Sequence, residues 1–136
     1  MNVRAPILVP FLLLILGGCT QSAQKLDTLP PEPPSSLQRA AIQQALLHAT
    51  SANTSDTSPV KLEQIALDAD YALVTWTRGE MGGQALLRWE EGSWNVLLSE
   101  PGWLGLRGLV RQGVPEVVAR SLLEQIDPNW PSYERF

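Results

Sequence analysis

The chain reads as an α+β protein: a helix, a four-stranded antiparallel meander, then one or two C-terminal helices. Three observations predict this. Apolar residues recur at helical spacing before residue 50, alternate with a period of two between residues 60 and 99, and return to helical spacing after residue 102. Short breaks bearing Asp, Gly and Ser divide the alternating half, so neighbouring strands can pair antiparallel. Strands grouped together and flanked by helices, without strict β-α alternation, are the α+β pattern.

The first helix is expected over residues 37–49, where Leu37, Ala40, Ala41, Ala45 and Leu47 sit at roughly helical spacing behind Ser35 and Ser36 as N-cap. His48 falls near its C-terminal end, where the partial negative charge favours an imidazolium. Residues 50–59 are rich in Ser and Thr, with Asn53 and Pro59, and read as a loop. A first strand covers 60–67, and Asp68-Ala69-Asp70 forms a turn. The second strand, 71–78, sets Ala72, Val74 and Trp76 on one face and Tyr71, Leu73 and Thr75 on the other.

Gly82-Gly83 then reads as a tight turn with positive φ, leading into a third strand over 85–90 with Ala85, Leu87 and Trp89 on one face. Met81 is expected at the turn tip or against the sheet. Glu91-Gly92-Ser93 is the next turn, and 94–99 the fourth strand. Residues 103–112 suit a short helix weakened by Gly105 and Gly108. Gly113 stops it, Pro115 starts the next helix, and Glu116 suits that helix's positive end. Over 115–126 Val118, Leu122 and Ile126 form an apolar stripe, with Val117 and Leu123 beside it, and Asp127-Pro128 ends the run. Trp130, Tyr133 and Phe136 mark an aromatic tail, 129–136, expected to fold back on the domain. A domain over 37–128, about 90 residues long, buries a core only marginally. The chain's five tryptophans are therefore read mainly as structural.

The N-terminal region reads differently. Arg4 supplies a short positive segment, and residues 5–16 form an apolar run of about a dozen residues, the length of a secretory signal's core. A membrane-spanning helix needs about 20 residues. The run ends in Leu16-Gly17-Gly18-Cys19, which resembles the lipobox of bacterial lipoproteins. The resemblance implies that residues 1–18 are a removed signal peptide and that Cys19 becomes a diacylated N-terminus. More than one acyl chain anchors a protein stably, at about 0.8 kcal/mol per buried methylene. Cys19 is the only cysteine, so the mature chain has no disulfide and no spare thiol. Residues 19–36, including Pro30-Pro31-Glu32-Pro33-Pro34, then form a Pro/Ser-rich spacer. The expected location is the bacterial cell envelope, lipid-anchored to the inner or outer membrane and facing the periplasm or an equivalent space.

Charge and residue inventory exclude several functions. The formal net charge is -4, and no basic tract is present, so nucleic acid is not an expected partner. With one histidine and one lipidated cysteine, neither a nucleophile-base set nor a zinc site assembles. Asp68 and Asp70 flank a turn, and Glu90 and Glu91 adjoin another, so neither pair is placed as catalytic carboxylates. The glycine pair leads into a strand without the lysine and hydroxyl of a phosphate loop. No enzyme activity and no cofactor are expected.

The stretch from Asp70-Tyr71-Ala72 through Trp76, Gly79-Glu80-Met81-Gly82-Gly83 and Ala85-Leu86-Leu87, followed by Gly113-Val114-Pro115, resembles small exported bacterial proteins. Some of these are described as copper-uptake-system-associated, and others are cyanobacterial secreted proteins without assigned function. The resemblance implies an extracytoplasmic α+β domain and names copper as a candidate ligand, so the alternative expectation is a copper-associated or small-ligand-binding periplasmic protein. His48 and Met81 would be its only soft or borderline ligands. The leading expectation is a non-enzymatic interaction or accessory domain, its partners the membrane through the lipid and another envelope protein. Glu80, Met81, Trp103 and Trp130 are its candidate ligand or contact residues.

Overall fold

The computed structural model describes residues 33–51 and 57–134. The expected signal segment, Cys19, most of the expected spacer, residues 52–56 and residues 135–136 lie outside the described residues. Helix α1 spans Ser36–Ser51. Its start is fixed by a reciprocal pair: the Gln38 N–H donates to Ser35 Oγ (3.2 Å), and the Ser35 N–H donates to Gln38 Oε1 (3.0 Å). That is a capping box, and it satisfies two backbone donors at once. Ser36, read as the last spacer residue, is therefore already helical.

Four strands follow, β1 (Val60–Asp68), β2 (Tyr71–Arg78), β3 (Met81–Glu90) and β4 (Ser93–Pro101), paired antiparallel in sequence order. The fold is α+β, with a meander at its centre. The β2–β3 turn is not where the glycine pair suggested. Arg78 pairs with Met81, so Gly79 and Glu80 make the turn, and Gly79 carries the positive φ of 57°. Gly82 and Gly83 lie inside β3. At Gly83 the requirement is packing: a Cβ would run into the Glu100 carbonyl oxygen and stand 2.5 Å from Cζ2 of Trp76. The Trp76 indole lies on a position that only glycine leaves open.

β1 and β4 each carry an irregularity in register, at Leu62/Gln64 and opposite Leu86/Leu87. An inserted residue flips the side-chain alternation. Val60 and Leu62 consequently share a face with Ile65 and Leu67, despite the odd spacing.

Helices cover both faces of the sheet. On one, Ile42 and Leu46 of α1 pack on Leu62, Ala72, Val74, Trp76 and Leu87. On the other, α2 (Gly105–Arg111) and α3 (Glu116–Ile126) bring Leu109, Ala119, Leu122, Leu123 and Ile126 onto Ala66, Tyr71, Leu73 and Leu86. The stripe read from the sequence is corrected at Val117, which is 75% exposed, while Ala119 is fully buried in its stead. Ala119, Leu122, Leu123 and Ile126 recur at the three- and four-residue spacings that keep one helix face to the sheet.

α3 also closes the open edge of β1. The Gln125 side-chain amide accepts the Leu67 N–H (3.2 Å) and donates to the Leu67 carbonyl (3.0 Å). An edge strand is thereby given a partner that is not another strand. Beyond α3 the tail turns through a short 3-10 helix, Trp130–Ser132. Trp130 is buried against the α3 side of the core, its Nε1 donating to Glu124 Oε2 at 3.1 Å.

Candidate functional site

At the end of the sheet nearest the β2–β3 turn, on the face shared with α3, a polar row crosses three strands. Gln64 pairs with Thr75, and Thr75 with Gln84. All three line an open cleft of about 490 Å³, within the range of about 300–1,000 Å³ usual for small-ligand sites. Gly82 and Gly83 contribute floor, Gly102 and Trp103 one wall, Ile126 and Asp127 the other.

The position of each group follows from its element. Gln84 is 2% exposed, and its Oε1 accepts the Leu104 N–H (2.9 Å), tying the chain after β4 over the floor. The Gly102 N–H donates to the Gly82 carbonyl (3.0 Å), extending that tie. Gln64 Nε2 donates to the Ile126 carbonyl (3.3 Å) at the end of α3. Asp127 then leaves the helix in an extended conformation. Its Oδ1 accepts the Asn129 N–H (2.9 Å) and its Oδ2 the Tyr133 hydroxyl (2.7 Å). These bonds, the Asn129 backbone first and Tyr133 second, hold the Asp127 carboxyl below its ordinary value, so it is ionised at neutral pH. The same bond raises the Tyr133 hydroxyl. Tyr133 also meets Trp103 edge-to-face, ring centres 5.4 Å apart, which braces the wall.

Gln84 Nε2 is the unsettled atom of this site. It is buried and has no hydrogen-bond partner among the described residues, and such an atom costs about 1–3 kcal/mol. The cleft's single ionisable group, Asp127, titrates low, whereas a general acid at neutral pH must titrate high. No lining residue among those described is a lysine, arginine or histidine. The described lining offers amide and hydroxyl groups and one ionised carboxylate, groups that can hydrogen-bond a neutral ligand.

Of the residues singled out from the sequence, Trp103 belongs to this cleft. Glu80 is exposed at the β2–β3 turn. Met81, 52% exposed, stands at the rim of another hollow of about 210 Å³, with Trp76, Arg78 and Pro101. His48 is exposed on α1 and lines a third hollow, beside Gln44. The two candidate copper ligands thus line different hollows. Among the described residues no group of three or more His, Cys, Asp or Glu side chains is placed to hold a metal ion. Trp130, read as a possible contact, is 5% exposed and serves the core. Gln64, Thr75, Gln84 and Asp127 were not singled out. The one local signal was a glutamine on the core-facing side of β3, sharing its face with Leu86.

No protein-family model matches the chain, and no curated protein or solved structure shows significant similarity to it. Among the described residues no helix is long and apolar enough to cross a membrane.

Proposed function

We propose that this chain is a lipid-anchored, extracytoplasmic interaction or accessory domain without catalytic activity. The observation that carries the reading is Leu16-Gly17-Gly18-Cys19 after an apolar run, with a proline-rich spacer behind it. A diacylated Cys19 holds the protein on the membrane, and residues 19–35 hold the domain off the bilayer. We take α1 as the N-terminal helix of the mature domain, following that spacer directly, and α2 and α3 as its C-terminal helices. A cleft lined, among the described residues, mainly by amide, hydroxyl, glycine and aromatic groups supports an accessory role that binds.

Metabolic labelling with a tagged fatty acid tests the anchor. The native chain takes up label and sediments with membranes, and Cys19→Ser loses the label. Label persisting in that variant would contradict the reading. Crosslinking in intact cells tests the accessory role, for which a second envelope protein should be captured by the anchored form. The alternative, a copper-associated or small-ligand-binding periplasmic protein, is favoured only in its small-ligand form, by the cleft, whose described lining includes neither His48 nor Met81. Titration with Cu(I) separates the two, since binding tighter than micromolar would support copper handling.

A further inference from the structure

The cleft has a chemistry specific enough to name its ligand class. Its described lining offers one carboxylate, amide and hydroxyl groups, and an indole, with no cationic side chain among these residues. An anionic ligand would meet Asp127 with nothing to offset the repulsion. A cation would find a single carboxylate whose two oxygens already accept hydrogen bonds from Asn129 and Tyr133. What remains is a neutral molecule rich in both donors and acceptors. It must also present an apolar edge to Trp103, which keeps 36% of its surface exposed.

We infer that the cleft beside Gln84 binds a neutral sugar ring. Ring hydroxyls donate to the remaining lone pairs of Asp127 and accept from the buried Nε2 of Gln84, a donor that no atom of the described residues satisfies. The C–H edges of the ring lie against the electron-rich face of the Trp103 indole. Gln84 sits beneath the segment it ties at Leu104, so a sugar reaches Nε2 by shifting the Trp103-Leu104 segment. Binding and a change in the Trp103 environment are therefore coupled.

Gly82 strengthens the inference. Its φ is not positive, and a Cβ there would meet nothing closer than the Trp76 carbonyl oxygen at 3.6 Å. Neither backbone nor packing demands glycine at this position, in contrast to Gly83. By strand alternation residue 82 shares the face of Gln84 and the cleft, so a side chain there would occupy the ligand's space. Glycine keeps the floor clear.

The inference rests on the proposed accessory reading only for the compartment in which sugars are met, and its test is separate. The full chain is held in a polyoxyethylene detergent, which has no sugar headgroup. It is then examined by saturation-transfer NMR and tryptophan fluorescence with methyl glucoside, an N-acetylated methyl glucosaminide, and glucuronate. A neutral sugar should receive saturation and change the fluorescence, and glucuronate should bind at least about tenfold more weakly. Gly82→Leu should lose binding with its thermal unfolding unchanged. Trp103→Ala, at an exposed position, carries the same test should Gly82→Leu unfold.

No transfer to either neutral sugar at tens of millimolar, undiminished binding by both variants, or preference for glucuronate would overturn the inference. A null result here with Cys19 still labelled sinks the sugar site alone. Sugar binding without labelling sinks the anchor alone.

Discussion

α3 lays Ala119, Leu122, Leu123 and Ile126 on one face of the sheet, whereas α1 brings only Ile42 and Leu46 as buried residues to the other. The α3 face is also tied by polar bonds. Gln125 clasps the β1 edge, Gln64 reaches Ile126, and Trp130 closes the end. The α1 face relies on its capping box and on Trp76 seated over Gly83. The difference teaches where rigidity is invested. The cleft lies on the more heavily tied face, and α1, with fewer buried residues, is expected to open first.

The largest effect should come from the α3 face. Leu123→Ala removes a fully buried side chain and should cost about 2–5 kcal/mol, read from chemical denaturation. A loss below that range would mean that α3 is no better anchored than α1. Gly83→Ala attacks the other face by overpacking Trp76 and should cost about 1–3 kcal/mol. A neutral result there would show that the indole has another place to go.

Ser35→Ala, which breaks the capping box, should cost about 1 kcal/mol and speed amide exchange in α1 while leaving α3 protected. Equal exchange in both helices would erase the contrast between faces. The smallest effect is on the tail. The Asp127 carboxyl titrates below its ordinary value of 3.8, so the unfolded chain binds its proton first as pH falls. The stability this carboxylate contributes is present above that value and lost as pH drops through the folded one. Tyr133 is raised from 10.0, so its contribution is present below that pH and lost in stronger alkali. Asp127→Asn should flatten the acid limb of an unfolding profile, and an unchanged limb would assign acid sensitivity to other carboxylates.

Much of the fold was legible because its signals are local. The change of period at residue 60 and the turn residues at 68–70 and 91–93 act within a few positions. The stop and start at Gly113 and Pro115 act over as short a range. The glycine pair misled because its meaning is long-range. Gly83 answers to Trp76 across a hairpin, and only the register reveals that pairing. Gly79, a single glycine, supplies the turn instead. The cleft was illegible for the same reason. Gln84 and Asp127 are far apart in sequence, and Asp127 read locally as a helix stop, which it also is. Val117 is exposed although apolar, because the apolar spacing along α3 does not by itself fix which side of the helix meets the sheet.

The proposed lipid anchor stands or falls on Cys19. Mass spectrometry of the purified protein's N-terminal peptide should find Cys19 as the first residue, carrying a thioether-linked diacylglycerol. An N-terminus elsewhere, or Cys19 with a free thiol, would contradict the account.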